Sequence, residues 1–189
     1  SPQQQAILAY FLLMFLLRGM PFIDLAHLRK RDMQDGRITY SRHKTDKPIT
    51  VRIPREALVL IAKYADRHSA SPYLFPILDA RIRDSWQSYR NYQDALRHFN
   101  RKLGQVMSRL LPGVRVSSYT VRHTWATLAF HSGQPVGIIS QALGHSSLRV
   151  TETYLKPFGN ELVDKANRQL IASVRKCKWK NETEYRAGL

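Results

Sequence analysis

The sequence is almost without sulfur chemistry: its one cysteine is Cys177. A single thiol excludes a disulfide scaffold and a cysteine-rich zinc module alike. Acidic side chains are scarce too, 14 against 30 Lys and Arg, which leaves a formal net charge of +16. The longest apolar run, residues 6–17, has 12 residues, and no basic residue precedes it. That is too short to cross a bilayer and wrongly flanked for a secretion signal. Internal repeats and a second hydrophobic core are missing as well. The chain opens at Ser1-Pro2 without a methionine, as a piece of a longer protein would.

What is present is a foldable, strongly cationic chain. Its 189 residues are 43% hydrophobic and include three Trp, enough for one domain with a real core and unlike a disordered basic tail. The excess charge is spread over the chain. Residues 1–17 carry no charged side chain, 18–55 carry ten basic and four acidic, and 56–110 carry nine and five. Cations distributed over folded elements point to a polyanion, nucleic acid ahead of an anionic membrane. A membrane binder would need a basic amphipathic helix with a free apolar face, and no segment reads that way.

Periodicity gives a mainly α fold with a small antiparallel β-sheet. Residues 3–17 read as a central apolar helix and 24–28 as a short one. Residues 37–41 and 49–54 are β-rich runs around His43-Lys44-Thr45-Asp46-Lys47-Pro48, a hairpin. Helical spacing recurs at 56–68, 85–111, 120–131 and 136–143, with Gly133 and Gly144 closing the last two. Residues 147–154 read as a short helix or turn, and 161–174 as a final amphipathic helix using Leu162, Val163, Ala166, Leu170 and Ile171. Trp86, Tyr89, Tyr92 and Phe99 fall at helical spacing and read as core, with base stacking as the alternative. Trp125 also reads as core. The six histidines other than His145 show no metal-ligand spacing, so neither a metal nor a cofactor is assigned.

Three short motifs follow one another: Tyr119-Thr-Val-Arg122-His123-Thr-Trp-Ala-Thr127, Leu143-Gly144-His145-Ser146-Ser147 and Thr151-Glu-Thr-Tyr154. In this order the chain resembles the tyrosine recombinase family (phage-integrase type). That family's catalytic domain carries an Arg-His-Thr-x-Ala-Thr helix, a Leu-Gly-His-Ser-Ser cap and a nucleophilic tyrosine nine residues after that histidine. Tyr154 stands nine residues after His145. The resemblance covers essentially the whole chain and implies the tyrosine recombinase/integrase catalytic-domain fold. It also implies a site-specific recombinase that cuts and rejoins DNA through a covalent 3′-phosphotyrosyl intermediate.

The chemistry accounts for the residue types. Breaking a phosphodiester without metal or ATP requires a nucleophile whose adduct keeps the bond energy, as a phosphotyrosine does. Charge gathering on the nonbridging oxygens calls for preorganised donors. Arg122 is the leading fork, always protonated and able to hold two oxygens. His145 would donate to the same phosphate. The resemblance places a lysine on the hairpin turn as general acid for the leaving 5′-oxygen: Lys44, with Lys47 as runner-up.

Two positions depart from the family pattern. Tyr119 stands where the family has a histidine, three residues before Arg122; a phenol there bonds the phosphate or relays a proton, or only packs beneath the site. Aligning Phe22-Ile23-Asp24-Leu25 with the family's hydrophobic–Ser–Glu–Leu run puts Pro21 where its first arginine belongs. Arg18, one helical turn earlier, is the expected substitute, with Arg42 and Arg52 as alternatives and Asp24 as the acidic brace. Arg42, Lys47, Arg52, Arg81, Arg83 and Arg90 are expected DNA-backbone contacts, and Arg97 is a further one.

The resulting expectation is a catalytic domain at 1–160 and a C-terminal helix and tail at 161–189 that docks on a neighbouring protomer or on its own domain. The family's N-terminal DNA-clamping domain lies outside this chain. The partner is double-stranded DNA at specific sites, the working unit a homotetramer, and the setting cytoplasmic, on DNA. Type IB topoisomerase-like relaxation and a non-catalytic DNA-binding module that kept the fold are the alternatives.

Overall fold

The apolar N-terminal segment becomes α1 (Pro2–Leu16), the element around which the rest is assembled. Ser1 caps it by accepting from the Gln4 N–H, and Pro2 occupies the first turn, where its missing donor costs nothing. Because the helix is apolar nearly all round, it packs chiefly on α3 (Arg55–Tyr64), α4 (Ser85–Leu110) and α5 (Thr120–His131). The computed structural model describes residues 1–155 and 160–172. Val174 and Cys177 lie outside them.

α2 (Phe22–His27) follows a tight reversal and docks on α4 through Phe22, which stacks on Phe99 at 4.4 Å between ring centroids. Burying a phenylalanine of this kind stabilises by about 1.5–3 kcal/mol. A 3-10 turn (Lys30–Asp32) leads into a three-stranded antiparallel sheet, β1 (Met33–Gln34), β2 (Arg37–Ser41) and β3 (Pro48–Arg52). The hairpin therefore lies where the sequence pattern puts it. The extra strand β1 joins through Asp35-Gly36, whose φ angles of +49° and +70° make a two-residue hairpin turn. In the β2–β3 register Ile38 faces Val51 and Tyr40 faces Ile49; these four turn inward, while Arg37, Thr39, Thr50 and Arg52 turn out.

The helices differ from the periodicity reading in detail. α3 stops at Tyr64 instead of reaching residue 68, because the Asp66 N–H turns to the Leu74 carbonyl and the Asp66 carboxylate takes the His68 N–H. Along α4, Phe99 and Leu103 are buried and Tyr92 is half-buried, but Trp86 and Tyr89 are exposed. The core reading fails for these two because the first turns of α4, residues 85–90, are exposed throughout; the two rings lie 6.0 Å apart.

α6 (Val136–Leu143) ends at Gly144 in the left-handed conformation, and α7 (Leu148–Glu152) carries the chain to Tyr154. A small second cluster of Ala126, Ile139 and Leu143, with Trp125, Phe130 and Tyr154 against it, fixes α5, α6 and the tyrosine segment together. Residues 160–172 form a helix belonging to a separate unit, α8, with Leu162, Val163 and Ile171 exposed. Among the described residues no helix is long and apolar enough to cross a membrane.

Candidate active site

A cleft of about 460 Å³ opens between the N-terminus of α2, the hairpin tip, the first turn of α5 and the α6–α7 junction. It gathers Asp24, Arg42, Lys44, Tyr119, Arg122, His145 and Tyr154 from positions far apart in the chain.

Arg122 is tightly constrained. It lies in the opening turn of α5 and is 2% exposed. One Nη donates to the Gly19 carbonyl at 3.0 Å and the other to the Leu143 carbonyl, while Nε has no hydrogen-bond partner. Gly19 is needed for this approach: a Cβ there would lie 3.2 Å from the Trp125 Cβ and 3.3 Å from the Arg122 Cα, at a backbone φ of +65°. Burial, then the neighbouring Arg42 charge, push the Arg122 pKa down, but a guanidinium keeps its proton throughout the working range.

His145 follows directly from Gly144. It is buried, its Nδ1 pairs with the Thr151 hydroxyl at 2.8 Å, and its Nε2 has no partner. Burial, then Arg122, Arg42 and Lys44, push its pKa down to about 4, so the ring is neutral at neutral pH. Neutral imidazole offers one donor and one acceptor. In the tautomer where the Thr151 hydroxyl donates to Nδ1, the proton sits on Nε2, the nitrogen left without a partner.

Tyr154 is held from behind, where the Thr127 hydroxyl donates to its carbonyl at 3.2 Å, and its ring stacks on His145 at 5.1 Å. Its hydroxyl pairs with that of Tyr119 and also faces the Arg122 guanidinium. Tyr119 is thus beside the nucleophile candidate, 51% exposed, and does not pack beneath it. Burial, then the bond to Tyr154, push the Tyr119 pKa up to about 12. Tyr119 is therefore a neutral phenol at neutral pH and unsuited to be a base there, and either hydroxyl of the pair can donate to the other.

The hairpin tip reaches the cleft through several anchors. The His43 N–H donates to Asp24 at 3.0 Å, Lys47 Nζ donates to the His145 carbonyl at 3.0 Å, and Arg42 Nη1 donates to the Leu143 and Gly144 carbonyls at 2.7 and 3.2 Å. Lys44 is left exposed at the cleft wall, while Lys47 is occupied as a tether. Asp24, 3% exposed, has its pKa raised by burial, against the His43 N–H and the charges of Arg42 and Arg122.

Arg18 is not brought to this cleft. The helical-turn relation expected between residues 18 and 21 does not form, because α1 ends at Leu16 and both Arg18 (φ +63°) and Gly19 (φ +65°) are left-handed. The Arg18 side chain turns to the Thr50 carbonyl at 3.5 Å and lines a different cavity with Trp125 and Ile138. Arg52, Arg83 and Arg90 are exposed, with Arg52 on the outward face of β3. Arg81 is paired with Asp79 at 2.7 Å, and Arg97 is paired with Asp94.

Sequence reasoning did not single out Thr151, which orients His145, or Thr127, which holds the Tyr154 carbonyl. Their position within the same motifs was the available signal. Among the described residues no three His, Cys, Asp or Glu side chains group as metal ligands do.

Known proteins resemble the chain in sequence and in fold. The chain is 29% identical over 155 residues to Tyrosine recombinase XerA of Pyrococcus furiosus, covering 79% of this chain and 51% of that protein. It is 30% identical over 150 residues to Tyrosine recombinase XerA of Thermococcus onnurineus, covering 76% and 50%. The chain thus spans about half the length of these relatives. Its fold is that of a XerA recombinase crystal structure (TM-score 0.58, 21% identity, 89% of this chain and 63% of the other). It is also that of the Tn1549 transposon integrase, solved with circular intermediate DNA (TM-score 0.59, 17% identity, 85% and 59%). These are tyrosine recombinase folds, as the motifs implied. Since residues 2–161 also match the model of the phage integrase family, the chain belongs to that family.

Proposed function

We propose that this chain is the catalytic part of a site-specific recombinase that cuts and rejoins DNA strands through Tyr154. The observation that carries this reading is the meeting of the Tyr154 hydroxyl with Arg122, His145 and Lys44 in one cationic cleft. Tyr154 Oη attacks phosphorus; the bond from phosphorus to Oη forms as the bond to O5′ breaks. The phenol proton leaves to water, aided by the Tyr119 donor bond, and the Lys44 ammonium supplies a proton to O5′. Arg122 and the Nε2–H of His145 stabilise the nonbridging oxygens, each such donor contributing roughly 3–4 kcal/mol to transition-state stabilisation. The DNA strand is held as a phosphotyrosine, and an incoming 5′-hydroxyl reverses the step on a new partner.

Double-stranded DNA is the substrate. The +16 charge supports it, and Arg52, Arg83 and Arg90 are backbone contacts in this reading. The arginines paired with Asp79 and Asp94 are weaker contacts. Strand exchange requires two DNA sites and four copies of the chain. The exposed apolar side chains Leu162, Val163 and Ile171 of α8 supply the contact between neighbours.

The test is covalent capture. Duplexes nicked within a randomised stretch are incubated with the protein, and adducts are separated under denaturing conditions. A DNA-linked band with wild-type protein and none with Tyr154→Phe is expected. An equal band in Tyr154→Phe, or no wild-type band on any nicked duplex, rejects the reading.

A further inference from the structure

We propose that Arg42, at the tip of the β2–β3 hairpin, supplies the second guanidinium of the phosphate clamp, the one that Pro21 leaves unfilled at the start of α2. This rests on the strand-cleavage reading above and names a residue for it.

Four observations place Arg42 in that role. Arg42 lines the same cleft as Arg122, His145 and Tyr154, whereas Arg18 lines another. Arg42 and Arg122 donate to one shared acceptor, the Leu143 carbonyl, so two cations stand side by side at the C-terminal end of α6. Asp24 stands 3.8 Å from Arg42 Nε at ion-pair distance, yet neither Nε nor Asp24 Oδ2 has a hydrogen-bond partner. The acidic brace therefore faces Arg42. Finally, Arg42 is 7% exposed, so its direction is fixed by packing rather than by solvent.

One carboxylate against two buried guanidiniums, with Lys44 beside them, leaves the site with excess positive charge. Like charges this close repel, and an anion lying between them converts that repulsion into binding. A phosphodiester carries one full charge, and its transition state gathers more on the nonbridging oxygens. Two guanidiniums on two elements meet that change with separate donors. Arg42 also shares a rigid tip with Lys44. A single hairpin thus brings the cation for a nonbridging oxygen and the acid for the leaving oxygen to the same phosphate.

A residue that only clips the hairpin to α6 would also slow cleavage when removed, so the test uses the charge of the phosphate. The duplex captured by the wild-type protein is remade with a methylphosphonate at the scissile position, which replaces one nonbridging oxygen with an uncharged methyl. Arg42→Ala is expected to lose about 10²–10³-fold in adduct rate on the ordinary phosphate. On the methylphosphonate it should recover to within about tenfold of wild type. Arg42→Lys keeps a donor for the Leu143 carbonyl but lacks the fork; it is expected to show the same rescue and carries the test if Arg42→Ala does not fold. Arg18→Ala should stay within about threefold of wild type on both substrates. Loss in both Arg42 variants without methylphosphonate rescue, or rescue confined to Arg18→Ala, overturns the assignment while leaving strand cleavage intact. A wild-type protein that forms no adduct defeats the strand-cleavage reading itself.

Discussion

Arg42 and Arg122 enter the cleft from a hairpin and a helix, and both donate to the carbonyl of Leu143. That carbonyl belongs to the last turn of α6, where the partial negative charge of the helix end is concentrated. It holds two guanidiniums close together before DNA arrives, and so reduces the reorganisation left for the reaction itself.

Arg122→Gln should therefore separate chemistry from binding. Cleavage is expected to fall about 10²–10³-fold. DNA affinity should change only a few-fold, since Arg122 is one of many cations facing the backbone. Covalent-adduct rates and gel-shift affinities on the same duplex check both numbers.

Gly144→Ala tests the junction that positions His145. The residue has φ +64°, and a Cβ would lie 2.5 Å from Ile49 Cδ1 and 3.2 Å from Arg42 Cδ. A left-handed alanine costs roughly 1–2 kcal/mol, and displacement of the hairpin adds to that. A lowered urea midpoint is expected, together with cleavage lost beyond what the stability change explains. An unchanged midpoint would contradict the close packing of Gly144 on the hairpin.

Tyr119→Phe removes the hydroxyl paired with Tyr154. Losing one hydrogen bond of about 1–1.5 kcal/mol predicts roughly a tenfold drop in cleavage. Tyr119→His keeps a donor and should recover part of the rate. A Phe variant that cleaves at the wild-type rate would leave the Tyr119 hydroxyl without a part in cleavage.

His145 makes stability depend on acid. Its folded pKa is pushed down to about 4, whereas a histidine in the unfolded chain titrates near 6.5. The unfolded chain binds the proton more tightly, so this contribution is fully present above about pH 6.5 and is lost as the pH falls toward 4. Thermal unfolding followed across that window should show a shallower decline in His145→Gln than in wild type. His27, whose pKa burial also lowers, remains in both proteins and cancels in the comparison.

Much of the site was legible in the order of residues because it is carried by local motifs. The Arg122 helix, the Gly144-His145 cap and Tyr154 lie within 36 residues, each tied to a helix start or stop whose chemistry is local. The hairpin was legible for the same reason: alternating β-branched residues and a polar tip define it without reference to anything distant. The exposed Trp86 and Tyr89 were not, since helical spacing says which residues share a face but not whether anything covers it. The identity of the second cation was not legible either. The motif alignment pointed near Pro21 and toward Arg18, on the assumption that the helix continues. Two consecutive left-handed residues turn the chain there and send Arg18 to Thr50.

By itself the sequence determined a basic, mainly helical domain with a small sheet, and which tyrosine, arginine and histidine stand at the family's spacing. Those properties follow from composition and from contacts a few residues apart. Only the tertiary structure decided that Arg42 shares the Leu143 carbonyl with Arg122 and that Tyr119 meets Tyr154 hydroxyl to hydroxyl. Such convergence depends on how the hairpin docks on α6, and that docking is fixed by a close contact at Gly144 and by hydrogen bonds between segments about a hundred residues apart.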